Sequence, residues 1–121
     1  MPHDAILEAE FQRAIDRRDL HDFAGARAIL EELAEEHPGI FGIWLVLGGV
    51  QMELLDYEAA EESFSMASAL DPRSELASLA LFHTLKHLGR TNDAYAEMRR
   101  FLALRPESHE YDLLRQEIEE E

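Results

Sequence analysis

The chain has 121 residues, of which 46% are hydrophobic and 31% are charged, a balance that predicts one globular domain. Its 26 acidic and 11 basic residues give a formal net charge of -15, which disfavours binding to nucleic acid or to anionic membranes. Cysteine is absent, so neither a disulfide nor a thiolate metal site can form.

The sequence shows no sign of export or of membrane insertion. Its first residues contain no basic start followed by an apolar core, so we expect no secretory signal. The uncharged stretch "GIFGIWLVLGGV" covers only residues 39–50, whereas a spanning helix needs about 20 apolar residues. We therefore expect a cytoplasmic protein, with this stretch folded as a helix that is contacted on almost every side.

Apolar residues recur along the chain with the 3.6-residue period of amphipathic helices. The first six predicted helices span residues 4–18, 22–36, 40–54, 58–70, 74–88 and 92–104. Ser74 and Asn92 are expected N-caps, and Gly89 is expected to end a helix in the left-handed conformation.

A seventh helix is predicted at about residues 108–119. Its narrow apolar stripe consists of Tyr111, Leu113, Leu114 and Ile118. Such a stripe is typical of a capping helix that covers the exposed end of the last unit of a repeat array.

Proline marks an internal repeat, since Pro38, Pro72 and Pro106 are each 34 residues apart. Two predicted helices precede each of these prolines. A period of this length with two helices per unit indicates stacked helical repeats, here at about residues 5–38, 39–72 and 73–106.

The central unit resembles the tetratricopeptide repeat family. The residues that carry the resemblance are Trp44, Leu47, Gly48, Ala60, Phe64, Ala67 and Pro72. Gln51 departs from the pattern where Tyr is usual, and Phe82 replaces the small residue of the third unit. The resemblance implies an all-α superhelical solenoid of three antiparallel helix pairs with a C-terminal capping helix, acting in protein–protein interaction.

In that family the first helix of each unit lines a concave groove, which implies a set of groove residues here. They are Phe11, Ile15, Arg18, Leu45, Gly49, Met52, Glu53, Leu76, Leu79, His83, Lys86 and His87. An apolar floor of this kind usually marks a binding site, so a protein or peptide partner is expected, bound as an extended segment or an amphipathic helix. Coverage of the groove by the seventh helix or by a second copy is the alternative.

His83 and His87 lie four residues apart, which is metal-ligand spacing on one helix face. The third ligand would have to be Glu53. Because structural zinc normally needs four protein ligands, histidines that hydrogen-bond a partner are the preferred interpretation, and no metal or other cofactor is expected.

The second helices carry two acidic clusters, which the repeat pattern places on the convex face. Their members are Glu31, Glu32, Glu35, Glu36, Glu58, Glu61 and Glu62. A solvated helix face is the simpler interpretation, and docking of a basic partner is the sharper one. These carboxylates lack the buried pocket that catalysis needs, and the sequence contains no phosphate loop, nucleophile motif or cofactor fingerprint, so we expect no enzyme and no catalytic residue.

Three functions are therefore compatible with the sequence. The first is a non-enzymatic module that binds a peptide or helix of a partner in its groove. The second is a small acidic immunity protein or secretion-type chaperone that neutralises or escorts a basic partner, which rests on fold-level analogy. The third is a structural homo-oligomer, for example a homodimer.

Overall fold

A computed structural model describes residues 2–120 of the chain, with side chains for residues 5–116, and every regular element in this part is helical. The helices are α1 (Pro2–Asp19), α2 (Phe23–Glu36), α3 (Phe41–Glu53), α4 (Tyr57–Leu70), α5 (Glu75–His87), α6 (Thr91–Leu104) and α7 (His109–Glu120). Within the described residues, no helix is long and apolar enough to cross a membrane. The predicted all-α fold is confirmed, and most helix ends lie within two residues of the predicted positions.

The helices stack in chain order. Pairs form between α1 and α2, α3 and α4, and α5 and α6, and the pairs are joined by contacts of α2 with α3 and of α4 with α5. The first helices of the last two pairs, α3 and α5, also contact each other directly. The molecule is therefore a solenoid in which α1, α3 and α5 share one side, as the resemblance implies.

The turn inside each helix pair has the same backbone geometry. His21, Leu55 and Gly89, which are 34 residues apart, adopt left-handed φ angles of 63°, 62° and 76°. The backbone N–H of the residue after each donates a hydrogen bond to the carbonyl five positions earlier. These bonds run from Asp22 to Arg17, from Asp56 to Gln51 and from Arg90 to Leu85. Each bond satisfies a carbonyl at the helix C-terminus. The 34-residue repeat is thus present in the backbone, and the left-handed conformation of Gly89 is confirmed.

One of the two predicted N-caps is wrong. The hydroxyl of Ser74 accepts a hydrogen bond from the N–H of Ala77, as expected. Asn92, however, lies inside α6, whose first main-chain bond runs from the N–H of Ala94 to the carbonyl of Arg90. Because the left-handed turn already closes at Arg90, the helix begins before Asn92 can cap it.

The core consists of two clusters of buried side chains. The N-terminal cluster joins α1, α2 and α3, and its members are Ala14, Ala26, Leu30, Leu33, Ala34, Ile43, Leu47 and Val50. The C-terminal cluster joins α4, α5, α6 and α7, and its members are Ala60, Phe64, Leu81, Phe82, Leu85, Ala94, Met98, Phe101 and Tyr111. The small residues Ala26, Ala60 and Ala94 are fully buried, which lets the two helices of each pair approach closely.

The central pair is held together by side chains of α3 and α4. A Cβ atom added at Gly48 would lie 2.5 Å from Cε1 of Phe64, so the ring of Phe64 fills the space that any larger residue would need. Gln51 replaces the family's tyrosine, and its Oε1 accepts a 2.6 Å hydrogen bond from the hydroxyl of Ser63. Gln51 therefore forms a hydrogen bond between α3 and α4 at the position where the family has tyrosine.

Tyr111 attaches α7 to the end of the solenoid. Its ring is fully buried, with centroids 5.7 Å from Phe82 and 5.5 Å from Phe101. Its hydroxyl lies 2.7 Å from the hydroxyl of Ser78, which in turn donates to the carboxylate of Glu97. Burial raises the pKa of Tyr111 well above its ordinary value, so the ring stays neutral. Ser78 occupies the position that Trp44 has one unit earlier, and its small size leaves room for this ring.

The remaining part of the apolar stripe of α7 is less buried than predicted. Leu114 packs against the C-terminal cluster, but Leu113 is 45% exposed. The side chain of Ile118 lies outside the described residues.

The consecutive glycines of α3 give a paired prediction. Gly48→Ala should lower the free energy of unfolding by about 1–3 kcal/mol, because the new methyl group meets the ring of Phe64. Gly49→Ala should raise it by up to about 1 kcal/mol, because an added Cβ there meets no atom within 4 Å and alanine favours the helix. Urea denaturation followed by circular dichroism measures both. Equal effects of the two substitutions would contradict the packing described.

Candidate functional site

A hollow of about 320 Å3 opens on the side of the solenoid that α1, α3 and α5 share. Its lining residues are Arg18, Leu45, Val46, Gly49, Phe64, Leu76 and Ala80. We call it the apolar hollow, since Arg18 is the only one of these residues with a polar side chain.

The glycine pair of α3 creates this hollow. Phe64 reaches the floor from α4 because Gly48 has no side chain to block its ring. Gly49 leaves the space above it empty, since an added Cβ would meet nothing within 4 Å. Leu76 stands at the edge with 64% of its surface exposed. A leucine this exposed beside an apolar recess is available to a partner.

The structure divides the predicted groove residues into groups. Arg18, Leu45, Gly49 and Leu76 line the apolar hollow. Phe11 is not among the lining residues; it packs against the N-terminal cluster and lies 3.9 Å from a Cβ placed on Gly42. Ile15 is half-buried outside the lining.

Met52 and Leu79 are half-buried and do not line the apolar hollow. Both pack against the C-terminal cluster, and the sulfur of Met52 lies 3.3 Å from the hydroxyl oxygen of Thr84. Glu53 is exposed at the end of α3. The apolar hollow thus includes only part of the predicted groove set, and binding by these residues stays a prediction.

Three lining residues were missing from the predicted set. Val46 and Ala80 occupy equivalent positions 34 residues apart, so the repeat register contained a signal for them. Phe64 matches a family core position, and its access to the groove depends on the adjacent glycines of α3. None of the described side chains of α7, which end at residue 116, lines the hollow.

The histidines and lysine of α5 line a second hollow of about 310 Å3. The ring of His87 stacks on Tyr57 with centroids 4.9 Å apart, and Nζ of Lys86 lies 5.8 Å from the centroid of Phe82. Among the described residues, no three His, Asp or Glu side chains are placed to hold a metal ion, so Glu53 does not join His83 and His87. We call His83, Lys86 and His87 the basic cluster.

Burial lowers the pKa of His83, and the positive charges of Lys86 and His87 lower it further. The folded state therefore accepts a proton on His83 less readily than the unfolded chain. As the pH falls below the ordinary value of 6.5, the unfolded chain takes up the proton first, so the free energy of unfolding decreases until His83 is protonated in the folded state as well. A carboxylate bound beside the basic cluster would favour the protonated ring and oppose this shift.

Comparison with known proteins identifies the repeat. The sequence pattern of the tetratricopeptide repeat matches residues 18–80, which is just over half of the chain. No curated protein matches the chain significantly.

Solved structures share the architecture at low sequence identity. The type III secretion chaperone SycD of Yersinia enterocolitica, in complex with a peptide of the translocator YopD, is 16% identical, with a TM-score of 0.79 over 96% of this chain and 88% of that chain. The CopN–Scc3 complex gives 15% identity and a TM-score of 0.81 over 94% of this chain and 67% of that chain. A mutant of MamA gives 20% identity and a TM-score of 0.73 over 81% and 72%. These likenesses support the fold.

The pKa of His83 provides a test of the electrostatics. Lys86→Met should raise that pKa towards its ordinary value, since it removes one of the two charges that oppose protonation. Lys86→Arg, which keeps the charge, should leave it low. Titration of the histidine ring resonances by NMR measures the shift. An unchanged pKa in Lys86→Met would contradict the assigned cause.

Proposed function

The chain belongs to the tetratricopeptide repeat family, and from this premise we propose that it is a non-enzymatic, cytoplasmic module that binds a segment of a partner protein in its concave groove. The observation that carries the proposal is the apolar hollow. Its volume of about 320 Å3 falls in the range of ligand pockets, about 300–1,000 Å3. We propose that one apolar side chain of the partner enters between Leu45 and Leu76.

The charges around the groove indicate what accompanies that side chain. Arg18 lies at the apolar hollow and pairs with Asp19 at 3.2 Å. The basic cluster lies farther along α5. In a chain of net charge -15, the cations Arg18 and Lys86 favour a partner segment that carries a carboxylate near its apolar anchor.

Recognition of a C-terminal carboxylate by a clamp of polar side chains is not part of the proposal. Some tetratricopeptide repeat proteins form such a clamp with Lys, Asn and Arg at fixed positions of the groove. In this chain the corresponding positions hold Phe11, Ile15, Val46, Leu76 and Ala80. None of these side chains can donate a hydrogen bond, so the affinity has to come from apolar anchors and the flanking charges.

The comparisons support a peptide ligand by analogy. SycD, which shares the fold, was solved with a peptide of the translocator YopD, and a second similar structure is a complex of CopN with Scc3. Extending this behaviour to the present chain is an inference from architecture, and the lining of the apolar hollow supplies the chemistry specific to it.

A second candidate function is the neutralising or escorting of a basic protein through the convex face. Most of the second-helix glutamates are exposed, including Glu32, Glu36 and Glu58. Such a surface attracts a basic partner over long range, and the attraction weakens with salt. A homodimer that buries the apolar hollow is the third possibility.

Variants of the apolar hollow test the main proposal. A displayed peptide library selected on the wild-type chain should enrich segments with an apolar residue close to an acidic one. Leu76→Glu and Gly49→Leu should each weaken the selected peptide at least about tenfold, since the first places a charge at the edge and the second fills the hollow. Isothermal titration calorimetry measures the affinities.

Leu104→Glu is the matched control, because Leu104 is also an exposed leucine but lies on α6. It should bind the peptide as the wild type does. Equal binding by all four proteins would contradict the proposal. A dimer in light scattering that Leu76→Glu converts to a monomer would assign the hollow to a second copy instead.

A further inference from the structure

A separate cleft lies between α2 and α4 on the side of the molecule formed by the second helices. Two hollows, of about 350 and 440 Å3, meet there at the side chains of Trp44 and Glu62. Trp44 is half-buried and lines both hollows, so part of this residue is accessible from the cleft. We call this the Trp44 cleft, and its lining includes Glu35, Gln51, Glu62 and Met66. It is distinct from the apolar hollow, with which it shares no lining residue.

Trp44 is held rigidly in this cleft. Its indole Nε1 donates a 2.7 Å hydrogen bond to the carbonyl of Pro38, which leads into α3. Met66 provides apolar surface on the α4 side. Among aromatic side chains, the indole of tryptophan attracts cations to its ring most strongly.

The carboxylates of the cleft are unequally paired. Glu31 and Glu61 have arginine partners at its margins, Arg27 at 3.6 Å and Arg90 at 2.7 Å. Within the described part of the chain, Glu35 and Glu62 form no ion pair. Two carboxylates without a cation therefore lie beside an accessible indole.

Gln51 adds a polar group that points to a ligand independently of the charges. Its side chain lines the cleft and only 5% of the residue is exposed. Its Oε1 accepts from Ser63, while its Nε2 makes no hydrogen bond to any described residue. No described side-chain atom that is sealed from solvent lacks a partner, so Nε2 reaches the cleft. Because Nε2 is unpaired among the described residues and accessible from the cleft, it can donate a hydrogen bond to an acceptor that enters there.

We propose that the Trp44 cleft binds the side chain of an arginine on a basic partner protein. The planar guanidinium stacks on the indole of Trp44 and donates hydrogen bonds to the carboxylates of Glu35 and Glu62. The Nε2 of Gln51 donates to a main-chain carbonyl of the same segment. Arginine fits better than lysine because its flat, weakly hydrated cation matches an aromatic and apolar wall.

The test uses Trp44 as its own reporter, since it is the only tryptophan of the chain. The probe is the peptide acetyl-Gly-Arg-Gly-amide, compared with the same peptide containing citrulline, a neutral analogue of similar shape. The arginine peptide should change the fluorescence of Trp44 and shift its indole N–H resonance in a saturable way. Citrulline should bind at least about tenfold more weakly, because it cannot form the charge-assisted bonds.

A pair of double variants separates the cleft from general charge attraction. Glu35→Gln with Glu62→Gln should weaken the arginine peptide at least about tenfold. Glu32→Gln with Glu58→Gln removes the same charge from the same two helices, outside the cleft, and should have little effect. Circular dichroism checks that both variants fold.

Equal weakening in the two double variants, equal binding of citrulline, or no saturable response of Trp44 would each overturn the proposal. Leu76→Glu should leave arginine binding unchanged, because Leu76 lies at the apolar hollow. The result for the cleft is therefore independent of the result for the groove.

Discussion

The contact between Gly48 and Phe64 determines both the packing and the binding surface of the central repeat. The ring of Phe64 occupies the space beside Gly48, so α4 packs against the backbone of α3 through this ring. The same ring then forms part of the floor of the apolar hollow, while the open position at Gly49 keeps that hollow empty. The packing of α3 against α4 thus depends on the missing side chain at Gly48, and the open hollow depends on the missing side chain at Gly49.

The polar side chains that line the hollows differ between the two sides of the solenoid. Arg18, His83, Lys86 and His87 lie at hollows on the side formed by the first helices, although the chain as a whole is strongly acidic. The second helices carry most of the clustered glutamates, with Trp44 between α2 and α4. We therefore propose two chemically different ligands for one small domain, an apolar and acidic segment at the first surface and an arginine at the second.

Much of the fold could be predicted because it follows from local patterns. The 34-residue spacing of proline reappears in the left-handed residues at 21, 55 and 89, and the small residues at 26, 60 and 94 are fully buried. The N-cap predicted at Asn92 was wrong because a local residue pattern does not reveal where the preceding turn closes. Which of the predicted groove residues line the apolar hollow could not be predicted. The sequence pattern does not show that Phe11 and Met52 pack against the core clusters and lie outside that lining. The link from Tyr111 to Ser78 joins residues 33 positions apart and has no local signature.

The central claim is that an apolar side chain of a partner enters the hollow above Phe64. NMR of the chain with labelled methyl groups, bound to a selected peptide, tests it most directly. If the side chain enters there, we expect nuclear Overhauser contacts from one apolar peptide side chain to the methyl groups of Leu45, Val46 and Leu76. Contacts that reach only residues of α2, α4 or α6, with none to these methyl groups, would contradict it.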